Sequence, residues 1–156
     1  MQEKELLELG MCALSVDHGL TAVPAEILEK SGALSDIERA ILKRHPHDTV
    51  RHLLAAGPLS PALRRRILVA FELRLGFDRG GYPRPLLWPE LHPFTRVIAL
   101  ADGYDALRSA RPWRPARSAA QAFQILSKKA GRQYDPMLVE ELEDMLRAYR
   151  FEDTDA

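Results

Sequence analysis

Apolar positions recur at helical spacing along almost the whole chain, interrupted by proline and glycine. Leu6, Leu7 and Leu14 predict a first helix over residues 3–16. Pro24 fits the first position of a short helix that runs to Lys30 and closes at Ser31-Gly32. Ser35 and Glu38 form a capping box, in which each side chain satisfies a free backbone N–H. The helix behind it is expected to bury Ile37, Ala40 and Ile41. Pro46 removes a backbone donor and divides that helix from a segment carrying Val50, Leu53 and Leu54. Ser60-Pro61 opens a helix with Leu63, Ile67, Leu68 and Phe71 on one face. Residues 76–92 read as loop. Pro93 opens a helix to about Ala110, with Phe94, Val97, Ile98 and Ala101 facing inward. Ser118 caps another that ends at Gly131. Asp135-Pro136 opens the last, with Leu138, Leu142, Met145 and Tyr149 on one face. No β alternation stands out. The pattern predicts an all-α fold, a compact bundle of about six or seven helices. One domain is expected over residues 1–151, with 152–156 as a disordered tail.

Length and composition agree with that picture. A chain of 156 residues buries about 68–70% of its unfolded surface and supports a real core. Lys+Arg and Asp+Glu both number 22, so no long-range field draws the protein to nucleic acid or to an anionic membrane. Any anion site must be local. Cys12 is the only cysteine, which excludes an intrachain disulfide and fits a reducing cytoplasm. The acidic, amphipathic N-terminus is unlike a signal peptide. Apolar runs such as Ile67–Phe71 and Val97–Ala101 are far too short to span a bilayer.

Two groups of residues carry candidate chemistry. Asp102 and Asp105 lie three apart on one helix face, and Asp102 follows the apolar run V-I-A-L-A. A carboxylate near the core needs a cation, either an arginine or a metal. Arg108, Arg111, Arg114 and Arg117 recur every three residues, which aligns them on one side of an extended, proline-containing segment. Arginine forks suit phosphate oxygens, and Trp113 offers a stacking surface, so Arg108, Arg111, Trp113 and Arg114 form a candidate nucleotide site. The plainer alternative is a solvated loop pairing with the acidic helix 140–144. The histidines, His18, His45, His47, His52 and His92, fit no zinc spacing. Gly80-Gly81 lacks the lysine and helix of a phosphate-binding loop.

Five blocks in order resemble the HD-GYP family of metal-dependent phosphodiesterases, whose members hydrolyse cyclic di-GMP in bacterial signalling. They are P-A-E-I-L at 24–28, L-K-R-H-P at 42–46, G-Y-P at 81–83, R-V-I-A-L-A-D-G-Y-D-A-L-R-S-A-R-P-W-R at 96–114 and G-R-Q-Y-D-P-M-L-V at 131–139. The resemblance implies an HD-type helical bundle, with upstream helices that this chain lacks. It also implies that Asp17, His45 and Asp102 stand at metal-ligand positions. The departures are as ordered as the matches. The family's HD pair falls on Val16-Asp17, and its following lysine on Leu20. The paired histidines fall on Leu73 and Arg74, and the next glutamate on Leu75. No histidine lies anywhere in Ile67–Gly81.

Three residues cannot fill the shells of two metals, although a histidine and two carboxylates can hold one iron or manganese ion. Val16, Leu20, Leu73 and Leu75 point to a pocket filled with core packing. The leading expectation is therefore a non-catalytic regulatory or interaction module without a cofactor. It would act as a homodimer or with a protein partner, for which the resemblance suggests a GGDEF-type domain docking on Gly81, Tyr82 and Pro83. The alternatives are a cyclic di-GMP sensor and a weak phosphodiesterase using one metal.

Overall fold

The computed structural model describes residues 2–84, 90–111 and 114–148. Over them the chain forms seven helices of seven residues or more, one single-turn helix and one 3-10 segment. They are α1 (Glu3–Ser15), the 3-10 segment (His18–Ala22), α2 (Ala25–Leu28), α3 (Asp36–Leu42), α4 (His45–Ala55), α5 (Pro61–Glu72), α6 (Pro93–Arg108), α7 (Ala119–Ser127) and α8 (Pro136–Ala148). The all-α expectation holds among the described residues, where β pairing is limited to two isolated bridges. The proposed tail 152–156, Trp113 and Tyr149 lie outside the described residues.

The helix starts follow from local chemistry. The hydroxyls of Ser35, Ser60 and Ser118 each accept the N–H three residues on, at 3.2 Å. Such caps contribute about 1 kcal/mol apiece. Pro46, Pro61 and Pro93 sit in first turns, where the missing N–H costs no helical bond. The expected break before Pro46 is real, because α3 ends at Leu42 and α4 starts at His45.

Two apolar clusters form the core. The first joins Cys12, Val16, Val69, Ala70, Leu73 and Ile98, from α1, α5, α6 and the residues that directly follow α1 and α5. The second joins Leu100, Leu126, Tyr134 and Val139 from α6, α7, α8 and the loop before α8. Helix α6 feeds both, so its burial is not a single stripe. That explains a misjudged phase: Thr95, Ile98 and Leu100 are buried, while Val97 and Ala101 are exposed. Ile37 is 76% exposed, against expectation. The two-turn helix α3 is held by its capping box and by the Lys30–Glu38 ion pair at 2.7 Å, so it buries no side chain fully. Leu54 and Met145 also face outward, near the C-terminal ends of α4 and α8.

Two buried polar groups tie elements together. Glu72 ends α5 at 2% exposure, and its Oε2 accepts the His92 amide at 2.9 Å and the Thr95 hydroxyl at 2.7 Å. One carboxylate thus satisfies donors at the start of α6. Thr49 of α4 accepts the Gly19 amide at 2.8 Å and donates to the Val16 carbonyl at 3.2 Å. Its hydroxyl spans the corner that contains Asp17. Gly19 is required there, since a Cβ would overlap the His45 carbonyl oxygen.

Candidate functional site

Of the three expected site residues, His45 lies beside Asp17, and Arg74 links Asp17 to Asp102. Asp17 occupies the corner between α1 and the 3-10 segment, His45 opens α4, and Asp102 lies in the middle of α6. His45 is buried, and its Nδ1 meets the Leu42 carbonyl at 2.7 Å. A carbonyl only accepts, so Nδ1 carries the proton and Nε2 keeps its lone pair. That Nε2 lies 3.7 Å from Asp17 Oδ1. Burial pulls the His45 pKa down, and the nearby Arg74 charge acts in the same direction. The ring is therefore neutral near pH 7.

Arg74 stands between the carboxylates. Its Nη2 donates to Asp17 Oδ1 at 2.9 Å and Oδ2 at 3.1 Å, and its Nη1 donates to Asp102 Oδ2 at 2.8 Å. The planar fork makes this double engagement possible, where an ammonium offers one point of charge. Although burial opposes charging, the two aspartates raise the Arg74 pKa, so the guanidinium is permanently cationic. A cation for Asp102 was foreseen. Its source, 28 residues back in the chain, was not. The only available signal was an arginine aligned with a histidine position of the resembled family.

The Gly81–Pro83 loop hangs on the same segment. Gly81 donates to the Leu75 carbonyl at 2.6 Å, and Tyr82 donates to the Arg74 carbonyl at 3.0 Å. A Cβ on Gly81 would overlap the Arg74 carbonyl oxygen, so the close approach demands glycine. The Tyr82 ring stands edge-on to His45, with centroids 6.2 Å apart, and Lys43 Nζ lies 5.3 Å from its centre. Burial pushes the Tyr82 phenol up, and it does the same to Tyr134 beside Asp102.

Val16, Leu73 and Leu75 are buried, and Leu20 is half-buried. Leu73 and Leu75 nevertheless border a cleft of about 670 Å³, which Arg74, Asp102, Tyr82, Tyr134, Lys129 and Arg132 also line. The α6–α7 arginines do not reach this cleft. Arg114 donates to the carbonyls of Leu107 and Pro115 at 3.1 Å each and to that of Ala106, while Arg108 donates to the Arg117 carbonyl at 2.8 Å. Arg111 and Arg114 exchange backbone bonds of 2.7 and 2.9 Å with one another. The mutual pairing of Arg111 and Arg114 departs from the one-sided alignment expected of them, and Arg114 serves the open carbonyl end of α6. Among the described residues, no three His, Cys, Asp or Glu side chains are arranged to hold a metal ion, and no helix is long and apolar enough to cross a membrane.

Comparison with known proteins agrees with this geometry. Residues 1–138 match the family model described as HD domain. The cyclic di-GMP phosphodiesterase response regulator RpfG of Xanthomonas campestris is 32% identical over 142 residues, covering 91% of this chain and 37% of that protein. A cyclic di-GMP phosphodiesterase of Thermotoga maritima is 30% identical, covering 99% of this chain and 43% of that protein. A 3′3′-cGAMP-specific phosphodiesterase of Vibrio cholerae is 32% identical over 128 residues, covering 80% of this chain and 23% of that protein. The chain thus spans less than half the length of these relatives. With a helical bundle that gathers Asp17, His45 and Asp102, and with the family model matched over most of its length, the chain belongs to the HD domain family and is of the HD-GYP type.

Proposed function

We propose that this domain serves cyclic di-GMP signalling as a non-catalytic regulatory or protein-interaction module. The observation that carries the reading is Arg74, which engages three carboxylate oxygens of Asp17 and Asp102. Metal chemistry in such a site needs those lone pairs. A dication would have to displace the guanidinium or sit beside it. At an effective dielectric of about 20, two unit charges 4 Å apart repel by about 4 kcal/mol, and a dication doubles this. Asp17, His45 and Asp102 therefore do not fit a metal while Arg74 is in place. Activating a hydroxide for phosphodiester attack calls for more donors than remain.

An interaction role has its own support. Leu7 and Leu14 are 68% and 82% exposed on α1, and Met11 lies between them at helical spacing. An outward apolar stripe of this kind marks a contact surface. We favour a homodimer or a dedicated protein partner, with a GGDEF-type domain as the candidate at the Gly81–Pro83 loop.

The cleft supports a second reading, cyclic dinucleotide binding without hydrolysis, because Lys129 and Arg132 lie on its wall beside two tyrosines. A weak phosphodiesterase using a single iron or manganese ion is the third. The deciding experiment incubates the chain with cyclic di-GMP and Mn²⁺ or Fe²⁺ and follows the linear dinucleotide by chromatography. The expected result is no product. Turnover that disappears in Asp102→Ala would overturn the proposal in favour of the third reading. Calorimetric titration with cyclic di-GMP tests the second.

A further inference from the structure

We propose that the outer face of α1 is a self-association surface, on which a second copy of the chain packs its own α1 antiparallel, with the two helices closest at Gly10. The inference rests on the interaction-module reading and deepens it by naming the occupant and its register.

Packing within one chain does not account for Gly10. It lies exposed inside a thirteen-residue helix, and an added Cβ would meet nothing within 4 Å. Glycine is among the weakest helix formers, so the single chain gains nothing from the missing methyl. Gly103, the other glycine within an α-helix among the described residues, differs: there a Cβ would overlap the Tyr134 hydroxyl. A second helix does gain from Gly10, because the side chains at a crossing set how near two axes approach.

The residues around Gly10 read the same in both directions. Leu7, Gly10, Met11 and Leu14 are all exposed and follow one another at spacings of three, one and three. A twofold interface requires that property, since each residue must meet its counterpart on the other copy. Antiparallel packing about an axis between Gly10 and Met11 sets Leu7 against the partner's Leu14 at both ends. It brings Gly10 to the partner's Gly10 and Met11 to the partner's Met11 at the centre. Charge favours the same direction. The last turn of α1 holds no basic residue to offset its open carbonyls. In the antiparallel pair the exposed Lys4 of each copy lies at that end of the other. A parallel pair would set Lys4 beside Lys4 and like helix ends together. One helix pair is a small contact, so association should fall at roughly 10–100 μM.

The test uses the full chain with cysteines placed on this face, under mild oxidation, read by non-reducing electrophoresis. Cys12 is buried, so the wild type should give no linked dimer. Met11→Cys should link to itself. Leu7→Cys alone and Leu14→Cys alone should not, because seven residues of helix hold each about 10 Å from its own counterpart, beyond disulfide reach. A mixture of the two should link. Gly10→Ala gives a second readout. At low micromolar concentration, where the monomer dominates, it should raise the melting temperature by about 2–4 °C. In sedimentation equilibrium it should weaken association roughly tenfold. Self-linking of Leu7→Cys, unchanged association in Gly10→Ala, or a wild type monomeric at millimolar concentration each overturns this proposal and leaves the non-catalytic reading standing. Turnover of cyclic di-GMP overturns that reading and leaves the α1 pairing standing.

Discussion

The Tyr82 amide donates to the Arg74 carbonyl at 3.0 Å, so the residue that gathers Asp17 and Asp102 through its side chain also carries the Gly81–Pro83 loop on its backbone. The charged site and the candidate docking loop are neighbours on one turn of chain. A change in one is a change in the support of the other.

Gly81→Ala tests that support. The added methyl meets the Arg74 carbonyl, a backbone atom that cannot step aside. The variant should lose about 1–3 kcal/mol of stability, read as a lower urea midpoint with an unchanged slope. Gly32→Ala is the control, because nothing lies within 4 Å of its added carbon. Equal midpoints for the two variants would mean that the loop is not fixed to the Arg74 segment.

Glu72 sets a pH dependence. Burial raises its pKa above the ordinary carboxylate value, chiefly by penalising the charged form, while the His92 amide and Thr95 hydroxyl oppose the shift. A raised folded-state pKa means that the native chain holds this proton more tightly than the unfolded chain does. Its contribution is fully present below the unfolded value and is lost as pH rises through the folded one. Glu72→Gln keeps an acceptor for both donors and removes the charge. Its urea midpoint should match the wild type near pH 4 and exceed it near pH 7. A variant weaker than the wild type at pH 7 would show that the charge itself is needed.

Helix α1 is apolar on two sides. Its inner side supplies Leu9 and Cys12 to the first core cluster, and its outer side shows Leu7, Met11 and Leu14. Replacing Leu7 and Leu14 with lysine together should leave the melting temperature within a few degrees and lower the apparent mass in light scattering at high concentration. A wild type that stays monomeric at millimolar concentration argues against the homodimer.

Arg114 should behave as a structural residue. Its guanidinium faces the carbonyls of Ala106 and Leu107 at the end of α6. Arg114→Ala should cost about 1–2 kcal/mol, whereas Arg111→Ala, at an exposed position, should be near neutral. Any cyclic di-GMP heat seen in calorimetry should survive both changes. Loss of that heat in Arg114→Ala with stability intact would return Arg114 to the nucleotide site.

Local signals in the sequence were strong enough to place the elements. Serine hydroxyls at 35, 60 and 118 and prolines at 46, 61 and 93 mark helix starts by short-range bonding. Facing was harder to read, because it depends on how many neighbours a helix has. Ile37 sits on a helix pinned by charge and caps, and α6 is packed between two clusters. Asp17, His45 and Asp102 were legible as a set through family resemblance. Arg74 was visible there only as a lost histidine. Its engagement of carboxylates 57 residues before it and 28 after it is a tertiary fact that local periodicity does not carry.

Thr49 gives the site an unusual independence. Because one buried hydroxyl fastens the backbone on both sides of Asp17, the carboxylate is presented by the scaffold rather than by its own ion pair. Position 74 can therefore change the charge beside Asp17 while the two Thr49 bonds to its backbone neighbours stay in place.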